Sequence, residues 1–331
     1  NMKAVILEEH GSTDSLLVKD IPDPICSKDQ IIVKIKACSI NHLDIFVRKG
    51  MPNHPIHLPI IPGGDGAGEV IEVGNDVSKD LLGKKVLIDP NIKLESGRIG
   101  IIGEDANGVL CEKIALSPSR IIELDDTVDL YKAACLPIAY GAAWRMLNTR
   151  GKIQAGEQVL ILGASGGVGN AAIQIAKLNN CFIIAATSSK DNESKLYELG
   201  ADIVINYTEE PDFHKIVRSI TGDGVDIAIN FTGGDSWVRS LKCMKPNGRI
   251  LTCGATAGFN PKTDIRYIWR KELKIIGSNS WTREDIVSLV AELKNGTINP
   301  IIHEIIPFND ISKAHKIIES RNFFGKLVIS I

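Results

Sequence analysis

Residues 159–178 constrain the fold of this chain more than any other part of its sequence. The stretch begins with four apolar residues, Val-Leu-Ile-Leu, which is typical of a short buried strand, and a glycine-rich turn over residues 163–169 follows. Apolar residues then recur at helical spacing as far as Leu178, and a second apolar run begins at Phe182. The pattern predicts a strand, a tight turn, a helix and a second, parallel strand.

The turn has the composition of a phosphate-binding loop. Glycine lacks a Cβ, so it allows the backbone to turn tightly and a pyrophosphate to approach it closely. The phosphates would then lie at the N-terminus of the helix, where N–H groups and the helix dipole favour anions. We therefore predict a dinucleotide site formed by Ala164, Ser165, Gly166, Gly167, Val168 and Gly169. The alternative is a glycine-rich loop that only packs the helix against the sheet.

The end of the second strand bears on the choice of dinucleotide. NAD-specific sites place a carboxylate about 20 residues after the first glycine, where it binds the ribose 2′-hydroxyl. This chain has Thr-Ser-Ser-Lys over residues 187–190 and no carboxylate before Asp191. Because the hydroxyl of Ser188 and the cation of Lys190 suit a 2′-phosphate, we predict NADPH and leave NADH open. Alternatively, Lys190 is only a solvated charge at the start of the next helix.

Length and composition limit the classes of protein to which the chain can belong. At 331 residues, 44% of them hydrophobic, it is long enough for two domains with proper cores. A net charge of −2 means that the chain has no excess of positive charge, which argues against binding to nucleic acid or an anionic membrane. No apolar run reaches the length of a membrane span, and a strand-like segment rather than a signal peptide comes first, so we expect a cytoplasmic protein. The seven cysteines include no Cys-x-x-Cys pair, which argues against a disulfide framework and a cysteine-rich zinc lobe.

The hydrophobic pattern changes near residue 127 and predicts two domains. Short strands separated by turns predict a small antiparallel barrel, with strands at 2–7, 16–20, 31–37, 68–73, 85–88 and 121–124. Buried strands then alternate with helices, and these strands are expected at 159–162, 182–187, 203–206, 225–230, 249–253 and 274–278. We therefore predict an α/β fold with a doubly wound, parallel six-stranded Rossmann sheet at residues 127–278. Residues 1–126 and 279–331 are expected to form a mostly antiparallel, β-barrel-like domain.

Six short motifs, taken together, identify a family. They are Asn-His-Leu-Asp at 41–44, Pro-Gly-Gly-Asp-Gly-Ala-Gly-Glu-Val at 62–70, Ala-Ser-Gly-Gly-Val-Gly at 164–169, Leu-Gly-Ala-Asp-Ile-Val-Ile-Asn-Tyr at 199–207, Gly-Arg-Ile-Leu-Thr-Cys-Gly-Ala-Thr at 248–256 and Gly-Lys-Leu-Val-Ile at 325–329. Essentially the whole chain resembles the medium-chain dehydrogenase/reductase superfamily and, within it, the zinc-independent quinone oxidoreductase branch. The resemblance implies a GroES-like catalytic domain, and hydride transfer from NADPH to a quinone or an α,β-unsaturated carbonyl compound. It also implies cofactor contacts at Ser188, Lys190, Tyr207, Thr232, Gly254, Ala255, Thr256, Ser278 and Lys326.

The same resemblance bears on metal ions. Zinc-dependent members have a cysteine where this chain has Asn41, and a His-Glu pair where it has Gly64 and Asp65. Asparagine is a poor zinc ligand, and the segment 92–100, which replaces the family's structural zinc lobe, contains no cysteine. We therefore expect neither catalytic nor structural zinc. An alternative zinc site would use Cys38 and His42, helped by Asp44 or Asp65.

The loop at 41–44 supplies the candidate catalytic residues. Without a metal, the acceptor must be polarised by hydrogen bonds, and the resemblance implies a nicotinamide between the domains, at the carboxyl ends of the sheet strands. The amide of Asn41 is a donor for the oxygen that gathers negative charge. His42 is a proton source because its ordinary pKa is near neutrality, and Asp44 would hold the loop or orient His42. Each residue has a structural alternative: His42 caps a helix or meets a backbone carbonyl, Asp44 starts a helix over 45–48, and Asp65 makes a turn.

This chain departs from the family pattern at two positions near the proposed site. Several quinone and enoyl reductases of the superfamily have tyrosine where this chain has Phe46, and often threonine where it has Ala142, so the proton would come from solvent. Two rivals stay open, a zinc-type alcohol dehydrogenase and a non-catalytic NADPH-binding sensor or structural protein, and the departures favour the second.

The apolar run 273–278 lies at the edge of the predicted sheet, where a strand usually needs a partner. We therefore expect a homodimer or homotetramer that acts on a small molecule.

Overall fold

The computed structural model describes all 331 residues and divides into two compact units. The first unit comprises residues 1–138, 286–296 and 300–331, and the second comprises residues 139–285 and 297–299. Strands and helices carry numbers in chain order through both units. None of the helices is both long enough and apolar enough to cross a membrane.

The first unit is built on a seven-stranded sheet. Its strands are β3 (Ile31–Ile40), β4 (Asp65–Val73), β5 (Lys85–Ile88), β8 (Lys113–Leu116), β9 (Ile121–Glu123), β16 (Ile302–Pro307) and β17 (Lys326–Ser330). Their order is β16, β17, β3, β4, β5, β9, with β8 paired to β3, and β16 and β17 form the one parallel pair. Two hairpins complete the strands: β1 (Met2–Leu7) with β2 (Leu16–Ile21), and β6 (Asn91–Lys93) with β7 (Ile99–Ile101).

Helices and a core of apolar side chains complete this unit. The helices are α1 (His42–Lys49), α2 (Leu130–Ala133), most of α9 (Arg283–Asn295) and α10 (Ile311–Ser320). The core is formed mainly by the inward-facing residues of the strands, among them Val33, Ile35, Val70 and Ile329, which are essentially unexposed. Burial of such side chains is the main favourable term in folding this unit.

The second unit contains a six-stranded sheet in which every pair is parallel. Its strands are β10 (Gln158–Ile161), β11 (Phe182–Thr187), β12 (Ile203–Asn206), β13 (Val225–Ile229), β14 (Met244–Thr252) and β15 (Lys274–Gly277). Its helices are α3 (Gly141–Trp144), α4 (Gly167–Leu178), α5 (Glu193–Leu199), α6 (Phe213–Thr221), α7 (Gly234–Lys242) and α8 (Arg266–Arg270). The order β12, β11, β10, β13, β14, β15 is that of a doubly wound Rossmann sheet, so the predicted α/β fold is confirmed.

Two strands of the first unit each extend three residues beyond their predicted bounds, and both extensions shape the candidate site. The strand predicted at 31–37 continues to Ile40, and the strand predicted at 68–73 begins at Asp65. Ser39 is paired with Asp65 across β3 and β4, while Leu327 of β17 is paired with Ile40. The ends of three strands therefore meet at one place in the first unit.

The unit boundaries differ from the predicted ones at 126 and 279. Residues 127–138 belong to the first unit, because α2 packs against β3, β4 and β5. Residues 279–285 belong to the second unit, where Thr149 Oγ1 donates a 2.6 Å hydrogen bond to Asp285 Oδ1. The Arg145 guanidinium lies 3.8 Å from the same carboxylate. Contacts between segments far apart in the sequence have no local signature, so the hydrophobic pattern did not indicate these two boundaries.

Candidate active site

At the start of the first helix, α1, the side chain of Asp44 binds the backbone of Asn41. Asn41 follows β3 directly and is the N-cap of α1. Asp44 Oδ2 accepts the backbone N–H of Asn41 at 2.8 Å, and the N–H of Asp44 donates to the Asn41 carbonyl at 3.0 Å. The carboxylate of Asp44 thus makes the N3-to-N-cap bond of a capping box, and the helix starts at His42 rather than at residue 45. This bond fits the structural alternative for Asp44, a carboxylate at the start of a helix, as well as its predicted function of holding the loop.

The side-chain amide of Asn41 is bonded at both of its ends. Lys326 Nζ donates to Asn41 Oδ1 at 2.6 Å and to the carbonyl of Ile40 at 3.0 Å. Asn41 Nδ2 donates to Asp65 Oδ2 at 2.9 Å. The two charged partners are almost completely enclosed, with exposures of 3% for Lys326 and 0% for Asp65, whereas Asn41 keeps 9%. The strand ends thus form a buried polar cluster around one carboxamide.

Asp65 has a larger part in this cluster than the sequence indicated. It is the first residue of β4, where its carboxylate also accepts Ser39 Oγ at 2.8 Å and the N–H of Ile138 at 3.0 Å, with Lys326 Nζ 4.0 Å away. Burial raises the pKa of Asp65, and Lys326 and the donors around it counteract that rise. From the sequence, Asp65 was expected to make a turn or to help bind a metal, and Ser39 was not predicted. The signal passed over is a carboxylate followed directly by three small residues, Gly-Ala-Gly at 66–68.

Two titratable groups of the loop have shifted pKa values. Burial is the main reason why the pKa of Asp44 rises to about 7, although its bond to the Asn41 N–H opposes the shift. The side chain of His42 is exposed, yet desolvation by the protein around it lowers its pKa, and so do the cations of Lys326 and Arg321. His42 is therefore largely neutral at neutral pH, and its function as proton source stays a prediction.

The donor set does not fit a zinc ion. Cys38 is buried, its Sγ donates to the carbonyl of Val109 at 3.3 Å, and burial raises the pKa of the thiol well above its ordinary value. Zinc binds the thiolate form, which this environment disfavours. No group of three or more His, Cys, Asp and Glu side chains is arranged to hold a metal ion. The alternative site of Cys38 and His42 is therefore not assembled.

The glycine-rich turn of the second unit has the predicted geometry. It connects β10 to α4, which begins at Gly167 with Gly166 as its N-cap. A Cβ on Gly169 would lie only 2.3 Å from the carbonyl oxygen of Gly163, so the helix packs against the turn more closely than a side chain allows. A Cβ on Gly166 would meet nothing closer than 3.9 Å. The turn therefore needs Gly169 for packing and leaves open space at Gly166, beside the first N–H groups of the helix.

Ala164 lies behind this open side of the turn. It has no exposed surface; its N–H donates to the Ala186 carbonyl at 3.1 Å, and its own carbonyl accepts Asn170 Nδ2 at 2.8 Å. Its polar groups are therefore already paired within the unit. The half-buried residues Ser165 and Gly166 are better placed to offer the cofactor contacts that were predicted for Ala164.

Predicted cofactor residues from three strands meet near Thr187 at the end of β11. Ser165 Oγ lies 2.8 Å from Thr187 Oγ1, and the N–H of Tyr207 donates to the Thr187 carbonyl at 3.0 Å. Ser188 and Lys190 follow and are exposed. The structure thus places two hydroxyl groups and a cation around the end of β11, which is the strand whose end binds the ribose in dinucleotide-binding folds.

The remaining predicted contacts lie at the carboxyl ends of the later strands. Asn230 is buried and was not predicted, and its Oδ1 accepts the N–H groups of Thr232 at 3.0 Å and Gly233 at 2.9 Å. A groove of about 450 Å³ is lined by Thr252, Cys253, Gly254, Ala255, Phe259, Gly277, Ser278 and Asn279. The Oγ of Ser278 is buried and has no hydrogen-bond partner, which fits a polar ligand at this edge. Lys326 belongs instead to the first unit, where it binds Asn41.

Comparison with known proteins gives two family models. The model of the alcohol dehydrogenase GroES-like domain matches residues 27–126. The model named zinc-binding dehydrogenase matches residues 167–295. The two matches fall mainly on the first and the second unit, respectively.

Relatives and solved structures match nearly the whole chain. Human quinone oxidoreductase is 28% identical over 338 residues, covering 99% of this chain and 97% of the relative, and acryloyl-coenzyme A reductase from Sulfurisphaera tokodaii is 28% identical, covering 99% of each. The crystal structure of an NAD-dependent alcohol dehydrogenase is 31% identical with a TM-score of 0.92 and covers both chains completely. The quinone oxidoreductase from Coxiella burnetii is 30% identical with a TM-score of 0.81, covering 100% of this chain and 99% of that one.

Proposed function

Since the chain belongs to the medium-chain dehydrogenase/reductase superfamily, in its quinone oxidoreductase-like branch, we propose that it is an NADPH-dependent, metal-free reductase of quinones or α,β-unsaturated carbonyl compounds. The observation that carries the proposal is the buried cluster around Asn41. At the positions where the zinc-dependent members of the family have metal ligands, this chain has the carboxamide of Asn41 and the carboxylate of Asp65, which are hydrogen-bonded to each other, and the carboxamide also binds the ammonium of Lys326.

The chain must bind the dinucleotide and stabilise charge on the acceptor. A bound NADPH would supply the hydride. The turn around Gly166 would bind the pyrophosphate through the N–H groups at the start of α4. Asn41 would donate a hydrogen bond to the acceptor oxygen as negative charge develops on it, while a proton arrives from His42 or from solvent.

The preference for NADPH rests on the groups after β11. Ser188 and Lys190 are exposed there, and no carboxylate lies between Thr187 and Asp191 to repel a 2′-phosphate. A cation and a hydroxyl group favour a dianionic phosphate over a free ribose hydroxyl. These groups support NADPH as the physiological reductant.

The choice of acceptor rests on the relatives. They include quinone oxidoreductases and a reductase of acryloyl-coenzyme A. Quinones and enones share a carbonyl oxygen that gains negative charge when hydride adds to the conjugated system. One hydrogen-bond donor at that oxygen serves both kinds of acceptor, which suits a site organised around a single amide.

A second copy of the chain is the proposed partner, bound through β15. This strand lies at the edge of its sheet, and 41% of Ile275 is exposed there. The same unit also exposes Ile265 and Trp269. An apolar edge strand pairs readily with its own copy across a two-fold axis.

The test combines binding, turnover and metal content on one preparation. The purified protein is analysed for zinc and titrated with NADPH and NADH by fluorescence, and turnover is then measured with a simple quinone, an enone and an alcohol. We expect tighter binding of NADPH, reduction of a quinone or enone, and well under one zinc per chain. One zinc per chain with alcohol oxidation would instead establish the zinc-type alcohol dehydrogenase. Tight NADPH binding without turnover of any of these acceptors would favour the non-catalytic alternative or an enoyl or aldehyde substrate outside the panel.

A further inference from the structure

We propose that Lys326 and Asp65 are positioning residues that lock the carboxamide of Asn41 in one orientation and so aim its remaining N–H at the acceptor oxygen. The inference rests on the proposed function for the identity of that acceptor. It assigns Lys326 to Asn41 rather than to the cofactor, and it gives Asp65 a part in the chemistry.

The orientation follows from what the two charged groups can do. An ammonium group only donates hydrogen bonds, so the Asn41 atom 2.6 Å from Lys326 Nζ must be the amide oxygen. A carboxylate only accepts, so the atom 2.9 Å from Asp65 Oδ2 must be the amide nitrogen. A flipped carboxamide would place donor against donor and acceptor against acceptor, and both conflicts would be buried.

Lys326 and Asp65 are themselves held in place. Lys326 Nζ also donates to the Ile40 carbonyl at 3.0 Å, and the Asp65 carboxylate accepts Ser39 Oγ and the N–H of Ile138. Water cannot replace either group, because neither charge has more than 3% exposure. A donor fixed in this way needs little reorganisation when charge develops in front of it.

Lys326 also strengthens the donor. Asn41 Nδ2 carries two hydrogens, and Asp65 accepts one of them. The cation at the amide oxygen draws electron density away from the nitrogen, which makes the second N–H a better donor. Lys326 thereby supplies positive charge to the acceptor indirectly, through the carboxamide.

A double-mutant cycle separates this function from a general structural one. Lys326→Met, Asn41→Ala and the double variant are compared in kcat, KM and NADPH affinity with the same quinone. If Lys326 acts through Asn41, Lys326→Met lowers kcat about 10-fold and adds nothing in the Asn41→Ala background. NADPH affinity should change by less than about 2-fold. Additive losses in kcat, or a loss mainly of NADPH affinity, would overturn the proposal.

A second readout needs no turnover. The ¹⁵N side-chain resonance of Asn41, identified by its absence in Asn41→Ala, reports the bonds of the carboxamide without any substrate. We expect Lys326→Met to shift this resonance and to speed hydrogen exchange at Nδ2, because the amide then rotates more freely. An unchanged resonance would contradict the positioning function. The resonance can be measured even if the protein reduces no acceptor. The turnover assays therefore test the proposed function, and the resonance tests the positioning of Asn41 by itself.

Two further variants guard against simple loss of folding. Arg48 is a second buried cation of the first unit, 2% exposed and paired with Glu319, near the other end of α1. Arg48→Met should lower stability while leaving the Asn41 resonance and kcat unchanged at temperatures where the protein is folded. If Lys326→Met does not fold, Ser39→Ala removes one donor from Asp65 and keeps both charges. It should then move the Asn41 resonance in the same direction by a smaller amount, and no movement would count against the proposal.

Discussion

The carboxylate of Asp44 accepts the backbone N–H of Asn41 at 2.8 Å while only 3% of Asp44 is exposed. Burial raises its pKa from 3.8 to about 7 in the folded protein, so the fold retains a proton that the unfolded chain has released. The stability that this proton provides is present below about pH 4 and is lost as the pH rises through about 7. Asp44→Asn cannot ionise, and its Oδ1 can still accept the N–H of Asn41. We therefore expect its free energy of unfolding to gain about 1–3 kcal/mol relative to the original protein between pH 5 and pH 8.

Denaturant unfolding at several pH values measures this difference. Asp125→Asn is the matched control, because hydrogen bonds from Thr127 are the main reason why the pKa of Asp125 is only about 2. Asp125 is ionised throughout the interval, so the difference for its variant should not depend on pH. Parallel curves for Asp44→Asn and the original protein would show that Asp44 does not titrate in this range.

Removal of the Asn41 amide should affect chemistry more than binding. We expect Asn41→Ala to lower kcat by about 10–100-fold, less than the loss of a full oxyanion donor, because solvent can partly replace the amide. NADPH affinity, measured by fluorescence titration, should be retained because the predicted pyrophosphate site lies in the second unit. Turnover equal to that of the original protein would remove Asn41 from the mechanism.

The cofactor preference should respond to the two exposed residues after β11. Lys190→Ala is expected to weaken NADPH about 10-fold and to leave NADH binding unchanged, because only NADPH carries the 2′-phosphate. Ser188→Asp should go further and favour NADH, since its carboxylate repels the phosphate and can bind a ribose hydroxyl. NADH serves as the internal control in both titrations. If the ratio of the two affinities stays constant in both variants, the 2′-phosphate is bound elsewhere.

Two glycines of the same turn should separate stability from binding. Gly169→Ala forces a Cβ to within 2.3 Å of a carbonyl oxygen, so we expect a loss of about 1–3 kcal/mol in the free energy of unfolding. Gly166→Ala meets no atom within 3.9 Å and has a φ of −80°, so stability should change by less than about 0.5 kcal/mol. Its methyl group would nevertheless occupy the space proposed for the pyrophosphate and weaken NADPH about 10-fold. Equal stability of the two variants would contradict the packing argument.

The proposed self-association through β15 can be tested by one charge. Ile275→Lys should shift the protein toward a single chain in sedimentation velocity, because a lysine on an edge strand opposes pairing. Ile305→Lys is the control, since Ile305 is similarly exposed, 46% against 41%, on β16, which is an edge strand of the other sheet. A single-chain mass for the original protein, or an unchanged oligomer in Ile275→Lys, would exclude this interface.

Local patterns were sufficient to predict the nucleotide-binding half of the fold. The strand, turn and helix around Gly166 follow from glycine content and hydrophobic period over a short stretch, and their bounds in the structure differ by at most one residue from the predicted ones. The strands that were missed, β6, β7, β8 and β16, have three to six residues and were too irregular in hydrophobicity to stand out. The helical region after α2 mixes α and π turns, so it has no single period.

The polar cluster could not be predicted in the same way. Asn41 was identified from a resemblance, but its partners Asp65 and Lys326 are 24 and 285 residues away in the sequence. Only the pairing of β3 with β4 and β17 brings them together, and that pairing is set by the whole sheet. The sequence therefore indicated which residue types were present and not which of them would be bonded to each other.

The wide separation of Asn41 and Lys326 also fixes an order of events during protein synthesis. A ribosome makes Asn41 and Asp65 early, and all residues of the second unit follow before Lys326 emerges. A nascent chain that has reached residue 299 therefore contains a complete second unit, while Asn41 and Asp65 still lack their cation. Chains released prematurely at that stage would lack β16, α10 and β17 of the first unit, and with them the cation that orients Asn41.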